Sequence, residues 1–136
     1  MRRISVLLTV ALLASCTGVP ERPTRTAENE RVYQLALQGK APEAPISCLP
    51  HYNSGDMKTI DDSTILFRQG SSRAWVAHMQ TPCTGLDTGH YALVTRQYGG
   101  MGMCRGDIAE VVDTLNRFPM GSCVFGDFVP YVRARS

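Results

Sequence analysis

Residues 57–79 read MKTIDDSTILFRQGSSRAWVAHM, and this stretch decides the fold class. It contains three short runs, MKTID, TILFR and RAWVAHM, that are rich in residues favouring strands. Asp62-Ser63 and the segment QGSS separate these runs. Asp and Ser favour tight turns, and a loop that contains glycine can adopt the positive φ of a hairpin. The stretch therefore predicts consecutive antiparallel strands joined by short turns.

Further strands follow downstream. HYALVTRQY (90–98) alternates apolar and polar residues, and SCVFGDFVPYV (122–132) is typical of a last strand. We expect that strand to end at Pro130, because proline lacks a backbone donor. DIAEVVDTL (107–115) fits a helix or a strand, and its β-branched residues favour a strand. The expected core contains Ile60, Ile65, Phe67, Trp75, Leu93, Val94, Val112, Val124 and Phe128.

A helical pattern precedes the strands. Thr26 can cap a helix that continues to residue 38, in which Val32, Leu35 and Ala36 share one face. Together these patterns predict an α+β domain over residues 26–136. It is mainly antiparallel β, a small disulfide-stapled sheet with one N-terminal helix.

The first residues have the layout of a secretory signal. Met1-Arg2-Arg3 is followed by an apolar run from Ile4 to Ala14, which is too short to span a membrane as a helix. Leu13-Ala14-Ser15-Cys16 resembles a bacterial lipobox, which implies a signal peptide over 1–15 and lipidation of Cys16. Residues 16–25 are then a flexible tether, and acyl chains would anchor the protein in the membrane. An ordinary cleaved signal or an uncleaved anchor, with an incidental cysteine, is the alternative.

The charge balance narrows the classes of partner. The chain has 14 Lys and Arg against 12 Asp and Glu. Removal of Arg2 and Arg3 with the signal leaves 12 of each, since residues 1–15 contain no acidic residue. A neutral chain without a basic cluster argues against a nucleic-acid partner. Thr17, rather than Asp, follows Cys16, so we expect the outer membrane, with the domain facing the periplasm.

The cysteines predict an oxidising compartment. Four remain beyond Cys16, namely Cys48, Cys83, Cys104 and Cys123. An even number outside the cytoplasm indicates two disulfides, and three connectivities are possible. We favour Cys83 with Cys104 and Cys48 with Cys123. Cys48 and His51 have the spacing of zinc ligands, but a second close pair is missing.

The cysteine-centred segments also resemble a known family as a set. They are Cys48, IDDSTILFR (60–68) with Trp75, CTGL (83–86), CRGD (104–107) and SCVFGDFVPY (122–131). Their order is similar to that in a family of secreted Gram-negative proteins of unknown function, over about residues 30–131. Thr84 stands where that pattern has Pro. The resemblance implies an envelope location and a small disulfide-bonded β domain, and it implies no activity.

The candidate catalytic residues do not form a recognisable constellation. Asp61 and Asp62 are adjacent, and neighbouring residues of a strand point to opposite faces, so a turn explains them better than acid–base catalysis. His51, His78 and His90 are scattered, and the chain has no G-x-S-x-G nucleophile motif. We therefore expect no catalytic activity and no cofactor.

Two binding functions remain from the sequence. The first is a lipid-anchored, non-catalytic module that binds an envelope protein, for which an exposed sheet edge is sufficient. The second is a periplasmic copper-binding protein. Met101 and Met103, with His78, supply the thioether and imidazole ligands that suit Cu(I).

Overall fold

The computed structural model describes residues 25–49, 56–96 and 102–134. One helix, α1 (Ala27–Leu37), precedes all the strands. The strands are β1 (Lys40–Pro42), β2 (Cys48–Leu49), β3 (Met57–Asp61), β4 (Thr64–Gln69), β5 (Arg73–Thr81), β6 (Tyr91–Thr95), β7 (Met103–Cys104), β8 (Ile108–Asp113) and β9 (Pro119–Arg133). A 3₁₀ turn, Leu86–Thr88, lies between β5 and β6. No helix of the described residues is long and apolar enough to span a membrane.

The strands form a curled, mainly antiparallel sheet in the order β3-β4-β5-β9-β8-β6, as the fold class predicted. β1 pairs with the C-terminal part of β9, and β2 and β7 form a separate two-stranded ladder. Asp62 and Ser63 join β3 to β4, and residues 70–72 join β4 to β5. The turns expected in 57–79 are thus confirmed, and so is the strand at residues 108–113.

α1 begins and ends where the sequence indicates. The Thr26 hydroxyl accepts a hydrogen bond from the Asn29 amide at 3.1 Å, which caps the first turn. Gly39, with φ +70°, turns the chain out of the helix. The buried face was predicted only in part, because Leu35 is exposed while Tyr33 packs on the sheet.

The sheet is covered on both faces at its centre. The concave face carries the main core, which includes Ile65, Phe67, Trp75 and the rings of Phe125 and Phe128. On the other face, Ile60, Leu66, Ala74 and Val76 pack against α1. Burial on both faces explains why β4 and β5 contain continuous apolar runs rather than alternating ones.

Most of the expected core is confirmed, with one clear error. Ile60, Ile65, Phe67, Trp75 and Phe128 are buried, while Leu93, Val112 and Val124 are half-buried. Val94 is 43% exposed. It lies on the outer face of β6, which α1 does not cover, so the alternation of this strand leaves it in solvent.

The expected end of the last strand at Pro130 was wrong. β9 continues to Arg133, and Pro130 lies opposite Trp75 of β5. The Pro130 carbonyl accepts the Glu43 amide at 2.8 Å, so the polar backbone positions of Pro130 face away from β5. The missing donor therefore removes no hydrogen bond from the β5–β9 ladder.

The favoured disulfide pairing was also wrong. The structure joins Cys48 to Cys104 and Cys83 to Cys123. Cys48 and Cys104 are directly opposite each other in the β2–β7 ladder. Cys83 follows β5, whose neighbour β9 carries Cys123. The sheet order, rather than closeness in the sequence, therefore selects the partners.

Candidate interaction surface

The two adjacent aspartates of the β3–β4 turn act separately. Asp61 is 2% exposed, and its Oδ1 accepts the Ser63 amide at 2.8 Å. Asp62 accepts the Gly85 amide at 3.1 Å, which fixes the segment before the 3₁₀ turn. The carboxylates thus support local backbone geometry, as the interpretation of this segment as a turn requires.

Arg25 adds a charge cluster that the sequence patterns did not indicate. Its guanidinium donates to Asp61 and, at 3.2 Å each, to the Glu30 carboxylate and the Thr64 hydroxyl. It also lies over the ring of Tyr33, 4.4 Å from the centroid. Arg25 immediately precedes the capping residue of α1, so this cluster attaches the start of the domain to the sheet.

The pKa values of the cluster follow its contacts. Burial lowers the pKa of Arg25, but the hydrogen bonds to Asp61 and Glu30 outweigh it and raise the pKa overall. Gln34 and then Arg25 lower the pKa of Glu30. Burial, followed by the neighbouring Tyr131, raises the pKa of Tyr33. The groups therefore keep their ordinary charge states, which is typical of a structural cluster.

Of the three candidate histidines, the structure describes two. His51 lies outside the described residues, and both His78 and His90 are exposed. The described part of the chain contains no group of three or more His, Cys, Asp and Glu side chains able to hold a metal ion.

The methionines expected to bind copper are placed differently from one another. Met101 lies outside the described residues. Met103 is completely buried and packs in the main core, whereas His78 is exposed on β5. Met103 and His78 therefore do not share a solvent-facing surface, and the burial of Met103 is explained by packing.

The edge of the sheet at β6 offers a surface for binding. Within the described ranges, β6 has a neighbouring strand on one side only, which is β8. The Thr114 amide donates to the His90 carbonyl at 3.0 Å, which places the backbone groups of His90 toward β8. Because these groups alternate along a strand, those of Tyr91, Leu93 and Thr95 point to the outer edge.

A shallow depression of about 440 Å³ lies beside this edge. Its apolar members are Val94 and Ile108, and Ile108 is also exposed. The charged residues Arg96, Asp107 and Glu110 line the rest. A strand added to β6 would therefore meet apolar side chains as well as free backbone groups.

A second exposed apolar group lies at the β8–β9 hairpin. Leu115, Phe118 and Met120 are among the most exposed large apolar side chains. Residues up to Leu115 were expected to form a strand, so this group was not predicted. The signal was present in Asp113-Thr-Leu-Asn, since Asp and Asn favour a turn and so place the neighbouring apolar residues at its tip.

Comparison with known proteins identifies the family of this chain. A model described as a family of unknown function (DUF6491) covers residues 1–125. The chain belongs to this family. No curated protein and no solved structure matches it. Membership in DUF6491 confirms that the chain is one of an uncharacterised family, and the matched residues include all four disulfide cysteines.

Proposed function

We propose that this protein is a non-catalytic binding module of the bacterial envelope, anchored by lipid at Cys16 in the outer membrane and facing the periplasm. The two disulfides support an oxidising compartment, because such bonds persist outside the cytoplasm. The sequence of residues 13–16 supports the lipid anchor.

The edge of β6, which has no neighbouring strand on its outer side among the described residues, is the observation that carries the binding part of the proposal. The outward backbone groups of Leu93 and Thr95 can pair with a strand from another envelope protein. Val94 and Ile108 supply apolar contacts next to that edge. Binding of this kind needs no special side chains, which agrees with the scattered positions of the histidines and carboxylates.

A photo-crosslinking experiment in intact cells tests the edge. A photoreactive residue is placed at Val94 in the full chain, and the matched control carries it at Leu35, which is also apolar and exposed but lies on α1. We expect a discrete crosslinked protein from position 94 and none from position 35. Equal crosslinking at both positions would contradict the proposed edge.

A substitution at Thr95 separates backbone pairing from side-chain contact. Thr95→Pro removes a donor that points outward and leaves the ladder with β8 intact, whereas Thr95→Ala keeps the donor. We expect Thr95→Pro to abolish the crosslink from position 94 and Thr95→Ala to retain it. Loss in both variants would show that the Thr95 side chain, and not strand addition, makes the contact.

The lipid anchor has its own test. Mass spectrometry of the mature protein is expected to find an acylated Cys16 as the first residue, and Cys16→Ser is expected to release the protein from the membrane fraction. An unmodified thiol at Cys16 would refute the anchor without affecting the test of the β6 edge.

A further inference from the structure

The β8–β9 hairpin ends in an apolar tip, which we define as residues 114–120. Leu115 is 75% exposed, Phe118 is 67% exposed and Met120 is 56% exposed. These side chains project from the end of a hairpin rather than lining a groove. Arg117 is exposed between them and supplies a positive charge.

The amide donors of the hairpin tip from Thr114 to Arg117 have partners in neighbouring residues. Asp113 Oδ1 accepts the amides of Leu115 and Asn116, at 2.8 and 3.1 Å. The Asp113 carbonyl accepts the Arg117 amide, and the Asp113 amide donates to the Phe118 carbonyl. Entry into an apolar environment therefore leaves few amide donors of this turn without partners, which lowers the cost of such a transfer.

Contacts connect the hairpin tip to the point where the N-terminal segment joins the domain. Arg25 binds Asp61 in the β3–β4 turn, and Asp62 of the same turn accepts the amides of Cys83 and Gly85. The segment that starts at Cys83 continues past the 3₁₀ turn to His90. It meets the tip there, since the amide and the hydroxyl of Thr114 both donate to the carbonyl of His90.

The other end of α1 lies away from the hairpin tip. β1, which follows α1, pairs with the C-terminal end of β9, and Lys40 lies opposite Arg133. The tip includes the N-terminal end of the same fifteen-residue strand. The helix therefore runs from the side of the domain nearer the tip toward the far end of β9.

We propose that the hairpin tip inserts into the interface of the membrane that holds the N-terminal segment. This inference rests on the proposed lipid anchor at Cys16. The nine residues from Thr17 to Arg25 span about 30 Å when fully extended, so the anchor keeps the domain close to the surface. Leu115, Phe118 and Met120 enter the acyl boundary, while Arg117 extends to the lipid phosphates.

Fluorescence quenching by brominated lipids tests this insertion. The full chain is purified from membranes and reconstituted in vesicles of phosphatidylethanolamine and phosphatidylglycerol with brominated acyl chains. Phe118→Trp places an indole at the tip, and Leu35→Trp is the matched control at an exposed position of α1. The natural Trp75 is buried, so the wild-type chain gives the background.

We expect strong quenching and a blue shift of the added emission in Phe118→Trp, and neither change in Leu35→Trp. Replacing Leu115 and Met120 by Ser in the Phe118→Trp chain is expected to reduce the inserted fraction by about tenfold or more. Both substitutions are at exposed positions, and the unchanged emission of Trp75 checks the fold.

Flotation of the same vesicles distinguishes the two proposals. A chain that floats but shows no quenching in Phe118→Trp overturns the insertion and leaves the lipid anchor standing. That result is expected if the tip binds a protein or a second copy of this chain. A wild-type chain that does not float overturns the anchor and the insertion together.

Discussion

The Nε atom of Arg25 lies 2.5 Å from Oδ2 of Asp61, although 36 positions separate the two residues in the chain. Asp61 is buried, so its carboxylate depends on this guanidinium and on the Ser63 amide for compensation. The contact connects the residue before α1 to the β3–β4 turn, and it therefore fixes the start of the domain on the sheet.

Removing the Arg25 guanidinium is expected to destabilise the fold. Arg25→Ala leaves the Asp61 carboxylate without its cation, and we expect a loss of about 1–3 kcal/mol in the free energy of unfolding. Arg31→Ala is the control, because Arg31 is exposed on α1, the helix that follows Arg25. Unfolding by urea measures the free energy of unfolding of both variants. If adding Asp61→Asn does not recover part of the loss, the buried charge is not its cause.

The two disulfides are expected to differ in their resistance to reduction. Cys83 and Cys123 are buried, whereas Cys48 and Cys104 are half-buried. A soluble phosphine should therefore reduce the bond between Cys48 and Cys104 first, because thiol–disulfide chemistry requires access to sulfur. Alkylation followed by peptide mass spectrometry identifies the first two thiols released. Simultaneous release of all four would contradict this order.

Local signals predicted the elements of this fold well. The Asp62-Ser63 turn, the cap at Thr26 and the β-branched residues of β8 each act through neighbours in the sequence, and each was confirmed. The proposed strand addition at β6 also starts from the expectation of a sheet and stays a prediction, and the sequence did not say which strand lies at the edge.

Features that depend on the order of strands could not be predicted in the same way. The disulfide partners follow from two strand pairings, β9 beside β5 and β2 with β7. The two strands of each pair are distant in sequence. Pro130 was expected to end the strand because the sequence does not show where its backbone groups face. That orientation depends on β1 and the segment after it, which donates to the Pro130 carbonyl. The contact of Arg25 with Asp61 is likewise a product of the assembled sheet.

Gly126 is expected to be among the most sensitive positions in β9. A Cβ added there would lie 2.1 Å from the carbonyl oxygen of His78, which belongs to the neighbouring strand β5. Gly126→Ala should therefore cost about 3 kcal/mol in unfolding free energy, because the backbone must shift. Gly70→Ala is the control: Gly70 has φ +58° but open space around it, so about 1 kcal/mol is expected. Equal losses would contradict the steric explanation.

The turn at the hairpin tip is expected to weaken in acid. The side chain of Asn116, and then the amides of Asn116 and Leu115, lower the pKa of Asp113 below its value in the unfolded chain. The stabilisation from this carboxylate is therefore complete above the unfolded pKa of about 3.9, and it is lost as the pH falls through the lower folded pKa. Asp113→Asn retains one acceptor oxygen but does not titrate. Unfolding by urea at a series of pH values from about 5 to 2 should show a shallower decrease for Asp113→Asn than for the wild-type chain. Identical pH profiles would mean that protonation of Asp113 does not contribute to the acid sensitivity of this fold.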